Sequence, residues 1–238
     1  GIIGADRNNG FGTDGICNGV KIMCLRTIPE GESLDKDVSN AIRYAVNNGA
    51  KVINISACKF SSPQRSLVDQ SVKYAMDNDV LIVHAAGNNG VVLTDDFIFP
   101  NKKFSKGGVA ENWIEVGASR MYNDSLLVAP FSNYGKNFVD VFAPGENIYS
   151  TWYPNSYSYQ SGTSMAAPIV SGIAAVLRAY YPDLSAVQTK KLILQSVQKI
   201  QHSVIVNGER VNFSDLCLSG GIVNLYNALL LAEKEAKK

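Results

Sequence analysis

The 238-residue sequence predicts an α/β fold built on a parallel sheet. Three observations predict it. Short, nearly uninterrupted apolar runs recur, among them Val52-Ile53-Asn54-Ile55-Ser56 and Val80-Leu81-Ile82-Val83-His84-Ala85-Ala86. Between them, apolar residues repeat with the period of one helix face. Strands apolar on both sides, alternating with amphipathic helices, mean βαβ units whose sheet is covered on both faces.

The elements run in this order. Val20-Lys21-Ile22-Met23-Cys24-Leu25 reads as a short buried strand. Ser33 is placed to cap a helix, and Asp35 and Asp37 suit its first turn, where the helix dipole favours acids. Val38, Ala41, Ile42, Ala45 and Val46 make its apolar face, and Gly49 stands where a helix closes. After the strand at 52–56, a second helical face carries Leu67, Val68, Ser71, Val72, Ala75 and Met76. Asp77-Asn78-Asp79 breaks it before the strand at 80–86. Residues 91–112, with Asp95, Asp96 and Pro100, read as a long loop. Ile114–Ala118 and Val139–Ala143 are further strands, and Tyr153–Tyr159 turns about Pro154-Asn155-Ser156 as a hairpin. Ser164–Tyr180 is apolar and rich in Ala and Gly, which predicts a helix buried through the middle. Two more helices are expected at about Ser185–Gln198 and Asn224–Lys238. No repeat or low-complexity linker interrupts the chain, so 1–238 is read as one domain.

Composition narrows the function classes. Twenty-two Lys+Arg against 21 Asp+Glu leave a formal charge of +1, which gives no bulk attraction to nucleic acid or anionic membrane. Neither is expected as a partner. No uninterrupted apolar run reaches membrane-spanning length, so no membrane span is expected. Cys17, Cys24, Cys58 and Cys217 lack zinc-site spacing and read as small buried hydrophobes; no metal ligands are predicted among them. No phosphate-binding glycine motif occurs, which argues against a nucleotide enzyme.

In open parallel sheets, sites gather at the C-terminal ends of the strands. That singles out Ser56-Ala57-Cys58 and Gly87-Asn88-Asn89-Gly90. The strongest local pattern is Ser161-Gly162-Thr163-Ser164-Met165-Ala166-Ala167-Pro168. Ser164 would sit at the N-terminus of the buried helix, where free N–H groups favour a developing oxyanion. Asn88, ending a core strand, could donate its amide to the same oxyanion. Alone, Ser164 could be a helix cap and Asn88 a turn residue. Their joint occurrence points to nucleophilic attack on a carbonyl.

Gly-Thr-Ser-Met-Ala-x-Pro, preceded by a strand and Ala-Ala-Gly-Asn, resembles the subtilisin-like serine peptidase family (subtilases). Phe131-Ser132-Asn133-Tyr134-Gly135 and Val141-Phe142-Ala143-Pro144-Gly145 extend the likeness in the right order. The resemblance implies a three-layer αβα fold with a mostly parallel twisted sheet. It implies Ser164 as nucleophile and Asn88 as oxyanion donor. It also implies Ser56, Ala57 and Cys58 as one wall for an extended polypeptide substrate, and Ala86 and Gly87 as the other. The family's relatives imply a secreted or periplasmic location.

A serine nucleophile needs a base, and the base an orienting acid. The family carries them in the order Asp, His, Ser. Neither an Asp-Ser-Gly or Asp-Thr-Gly nor a His-Gly-Thr-His occurs, and Gly1-Ile2-Ile3-Gly4-Ala5 resembles the stretch directly after the family's catalytic histidine. The expectation is a subtilase domain incomplete at its N-terminus and not competent alone, with the missing N-terminal segment as its partner. An inactive peptide-binding module is the alternative. Ser164, Asp183 and His202 keep the serine–acid–histidine order of α/β-hydrolases, but Tyr157-Ser158-Tyr159-Gln160 is poor for the buried strand that fold requires. His84 reads as a packed strand histidine and His202 as a surface turn residue. No cofactor is predicted. Asn8, Asn9 and Asp14 match a region where many subtilases hold calcium, although one Asp and two Asn make a thin donor set. Phe99-Pro100 falls where the family can use a cis proline.

Overall fold

The computed structural model describes residues 1–28, 31, 33–95 and 97–237. Asp96 and Lys238, in the expected loop and last helix, lie outside the described residues. A six-stranded sheet organises the rest, in the order β1 (Val52–Ile55), β2 (Leu81–Ala85), β3 (Trp113–Ser119), β4 (Val141–Pro144), β10 (Gly221–Ile222) and β7 (Gln198–Lys199). The first four pairings are parallel and β10–β7 is antiparallel, so the sheet is mixed.

The two-residue period of a strand sorts its side chains between two helical layers. Leu81, Val83, Ala85, Ile114, Val116, Ala118 and Val141 face α3 (Thr163–Tyr180), α4 (Ala186–Gln195) and α5 (Leu225–Ala236). Ile53, Ile55, Ile82 and Trp113 face α1 (Asp35–Asn47) and α2 (Arg65–Asp77), which offer Val38, Ile42, Val46, Val68, Val72 and Ala75. The result is the expected three-layer αβα arrangement. Among the described residues only α3 is long and apolar enough to cross a membrane. It lies against β1–β4 and is two-thirds buried, so its apolarity is that of a core helix.

Some expectations are corrected. Val20–Leu25 is not a strand: Ile22, Met23 and Leu25 are exposed, and the segment pairs with no neighbour among the described residues. A groove of about 1090 Å³ separates it from the β1 edge, whereas paired strands stand about 4.8 Å apart. Ser33 does not cap α1. Leu34 holds that position, and the Ser33 carbonyl accepts from Lys59 Nζ at 2.9 Å. Asp35 instead ties α1 to the next loop, accepting from Ser62 Oγ (2.7 Å) and the Gln64 N–H (2.8 Å) and pairing with Lys59 (2.6 Å). Burial works against its charge, but these bonds outweigh burial and hold its carboxyl below the ordinary value.

The hairpin starts earlier than expected, as β5 (Ile148–Trp152) and β6 (Ser156–Gln160). A second hairpin, β8 (Ser203–Val206) and β9 (Glu209–Asn212), turns on Asn207-Gly208 with φ of 53° and 82°. Such turns need two positive φ values, which Asn-Gly supplies. Ser185 caps α4 with a full capping box through Gln188. The Phe99–Pro100 and Tyr153–Pro154 bonds are both cis.

Among the described residues β1 ends the sheet with one edge unpaired, beside a groove lined by Val20, Ile22, Leu25, Val52, Ile53 and Ile55. Unprotected edges and apolar surface promote association. Residues 1–238 expressed alone are therefore expected to aggregate. Light scattering with a thermal melt checks this; a monodisperse sample that melts cooperatively contradicts it.

Candidate active site

Parallel neighbours end on the same side, so the segments after β1 and β2 emerge together. α3 packs across these strands and brings its N-terminus to the same edge. Three segments distant in sequence therefore meet: Ser56-Ala57-Cys58, Gly87-Asn88 and Thr163-Ser164.

Ser164 Oγ donates to the Ser56 carbonyl at 3.0 Å, and Ser56 Oγ donates to the Ser164 carbonyl at 3.0 Å. Asn54 Nδ2 donates to Ser56 Oγ (2.9 Å), and Ser171 Oγ on α3 donates to Asn54 Oδ1 (3.0 Å). A line of polar contacts thus fastens the β1 end to the first turns of α3.

Asn88 is held from the other side. Its Oδ1 accepts from the Thr163 N–H at 2.8 Å and from Thr163 Oγ1 at 2.9 Å. The backbone N–H can only donate, so the amide orientation is forced. The Asn88 NH₂ group is thereby turned towards Gly162, where a Cβ would stand 3.4 Å from Nδ2. Thr163 Oγ1 also accepts from the Gly87 N–H at 3.1 Å. The Thr163 hydroxyl, fully buried, joins β2 to α3 through both of its roles. The first-turn N–H groups of α3, Ser164 among them, have no carbonyl one turn back within the helix. The arrangement can thus set a hydroxyl against a carbonyl carbon, with a side-chain amide and a helix N-terminus towards its oxygen.

Gly87 has φ +89°, and a Cβ there would meet Asn133 Nδ2 at 2.6 Å. Only glycine suits both demands. Asn133, fully buried, staples this turn. It donates to the Ala86 carbonyl (2.8 Å) and accepts from the Asn89 N–H (3.0 Å) and the Val91 N–H (3.2 Å).

The two expected walls face one another. Cys58 Sγ lies 3.6 Å from where a Gly87 Cβ would stand. Ala86 is fully buried, so it backs its wall rather than surfacing it. The expectation of four buried cysteines is corrected: Cys17 and Cys217 are buried, but Cys24 and Cys58 are exposed. Partial desolvation of the Cys58 thiol, and secondly the Glu115 charge, push it above its ordinary pKa, which disfavours the thiolate.

Neither imidazole contacts Ser164 among the described residues. His84 is enclosed in the sheet layer, with Nδ1 2.6 Å from Glu115 Oε1. His202 Nε2 bonds the Asp124 carbonyl at 3.1 Å. Ser164, Asp183 and His202 therefore form no hydrogen-bonded set, and Ser164 comes after an exposed hairpin rather than a buried strand. Among the described residues no group of three or more His, Cys, Asp or Glu could hold a metal ion. In the 8–14 loop, the Asn8 N–H donates to Asp14 Oδ1 (3.3 Å) and the Phe11 N–H to Asn9 Oδ1 (2.9 Å), both exposed.

Sequence reasoning misses Thr163 and Asn133 as positioning residues. Both sit inside the motifs quoted above, but their partners are 75 and 44 residues away.

The subtilase family profile matches residues 1–214. The chain is 37% identical over 202 residues to the thermophilic serine proteinase of Bacillus sp. (strain AK1), covering 84% of this chain and 46% of that protein, so it spans less than half of that relative's length. It is 32% identical over 230 residues to thermitase of Thermoactinomyces vulgaris, covering 96% and 72%. Among solved structures, a protease of Pseudoalteromonas arctica PAMC 21717 superposes with a TM-score of 0.78 at 25% identity, covering 98% of this chain and 69% of that one. A profile that spans nine-tenths of the residues, on a sheet and central helix shared with known proteases, leaves one conclusion: this chain belongs to the subtilase family.

Proposed function

We propose that this chain is the larger part of a serine endopeptidase of subtilisin type that cleaves polypeptides through an acyl-enzyme on Ser164. The observation that carries the reading is the convergence of Ser164 Oγ and the free face of the Asn88 amide at the N-terminus of α3. Attack by Oγ on a peptide carbonyl puts negative charge on its oxygen. The Asn88 NH₂ group and the Ser164 N–H face that charge in a fixed geometry, so little reorganisation is needed as it forms. The amine leaves carrying the proton taken from Oγ, and water then hydrolyses the ester, one of its protons returning to Oγ and its hydroxyl completing the carboxyl product.

The base and its acid enter from a segment upstream of residue 1. The groove beside β1 supports this, because it is wide enough for added backbone and runs along the free edge past Ser56. An imidazole there would take the proton that Ser164 Oγ now shares with the Ser56 carbonyl. The substrate lies extended along Ser56-Ala57-Cys58, with Gly87 opposite, and binds main chain to main chain. Calcium in the 8–14 loop and a secreted or periplasmic location belong to the same proposal, on family grounds. A catalytically inactive peptide-binding module is the second reading. The absence of an imidazole at Ser164 among the described residues favours it.

Three outcomes are expected. Residues 1–238 do not react with a fluorophosphonate probe, whereas the product extended through its own upstream codons reacts at Ser164. Equal labelling rates contradict the proposal, and a start codon directly before Gly1, in place of the Asp and His motifs, favours the inactive module. In the extended product, Asn88→Ala lowers kcat by about 10²–10³, the loss established for this kind of donor in subtilisin itself, with KM little changed. A normal kcat in that variant removes Asn88 from the mechanism. Thr163→Val orphans the buried Gly87 N–H and removes one of the two bonds on Asn88 Oδ1, leaving the one from the backbone N–H. It should cost about 1–3 kcal/mol in chemical denaturation and lower kcat as well; unchanged stability and rate contradict the clamp.

A further inference from the structure

We propose that His84, braced by Glu115, is a positioning residue that sets how the Ser56–Cys58 wall receives an extended peptide. The inference rests on the reading of that wall as substrate-binding.

His84 and Glu115 are register partners on β2 and β3, so their side chains share one face of the sheet. Both are buried. His84 Nδ1 and Glu115 Oε1 stand 2.6 Å apart, and His84 Nε2 stands 3.1 Å from the Ala57 carbonyl oxygen. A carbonyl only accepts, so Nε2 carries the hydrogen directed at Ala57, and Nδ1 is the nitrogen that meets the Glu115 carboxyl. The brace is itself anchored. Glu115 Oε2 accepts from Trp113 Nε1 at 2.7 Å, and the Trp113 ring lies 5.1 Å from the imidazole. The Glu115 N–H donates to Asp140 Oδ2 at 2.7 Å, and Asp140 Oδ1 pairs with Lys102 at 2.9 Å. A buried polar chain thus crosses the sheet from Asp140 to the segment after β1.

Buried ionic pairs seldom justify themselves by stability, since apolar pairs of equal volume do as well. The end point of this chain supplies a purpose. Successive carbonyls of the wall point opposite ways: that of Ser56 to Ser164 Oγ, that of Ala57 to His84. The Ala57–Cys58 peptide is trans, so fixing the Ala57 carbonyl on His84 sends the Cys58 N–H to the other side, where the Ser56 carbonyl already faces. Those are the backbone groups an added strand would pair with. Without the bond to His84, this peptide plane is free to rotate and the wall loses its presented face.

The test uses the full-length gene product and two substrates of one P1 residue: a tetrapeptide amide, which spans the wall, and an N-acetyl amino-acid ester, which barely touches it. Two charge-free variants are compared. H84Q/E115Q keeps an N–H donor for the Ala57 carbonyl, and H84L/E115Q does not. The expected result is a KM for the tetrapeptide about tenfold higher in H84L/E115Q, as for a lost hydrogen bond, with a far smaller change for the ester and recovery in H84Q/E115Q. Equal losses on both substrates, or no loss, overturn the inference while leaving the peptidase reading intact. A variant too unstable to assay while H84Q/E115Q stays folded makes the donor structural and also overturns it. A wild-type product that hydrolyses neither substrate fails the peptidase reading itself, and the inference with it.

Discussion

The site depends on one clamp, the pair of hydrogen bonds from Thr163 to Asn88 Oδ1 completed by the buried bond from the Gly87 N–H to Thr163 Oγ1. The end of β2 and the start of α3 have no covalent reason to be neighbours, being 75 residues apart. The clamp fixes their relative position and the orientation of the Asn88 amide. Thr163 and Gly87 are buried while Asn88 reaches the surface, so the inner bond of the clamp is the one that costs most if unmade. The Ser56–Ser164 exchange fixes the third segment to the same point.

The clamp holds because the layers behind it are well packed. α3 carries Ala166, Ala167, Val170, Ala174 and Leu177 against the sheet, all fully buried. Gly172 lets the N-terminal segment approach the same helix closely: a Cβ there would meet Ile16 at 2.8 Å. Interiors packed to this density resist displacement, so the N-terminus of α3 keeps its register with the strand ends.

Legibility tracks the range of the interactions. Helix faces such as Val38, Ile42 and Val46, and apolar strands such as 80–86, are visible because period and burial act locally. Ser164 and Asn88 are visible for a related reason: each stands where a helix starts or a strand ends, and the motifs containing them are specific. Asn207-Gly208 carries a readable turn signal, but its flanking strands are short and half polar, which hides the hairpin. Val20–Leu25 fails for the opposite reason. Its pattern is strand-like, yet a strand exists only with a partner, and on both sides of the groove that partner is absent among the described residues. Ser33 loses its cap to tertiary demand, because the Lys59–Asp35 pair organises that helix end instead. Thr163, Asn133 and the His84–Glu115 brace depend on partners remote in sequence, and no local pattern discloses such pairs.

The central claim is that one oxygen is addressed at once by Ser164 and Asn88. The direct measurement is a crystal structure of the full-length gene product after reaction with a peptidyl phosphonate. The account predicts a covalent bond at Ser164 Oγ, with the phosphonyl oxygen ~2.7–3.1 Å from Asn88 Nδ2. An adduct whose oxygen points away from Asn88, or one formed on another residue, would contradict it.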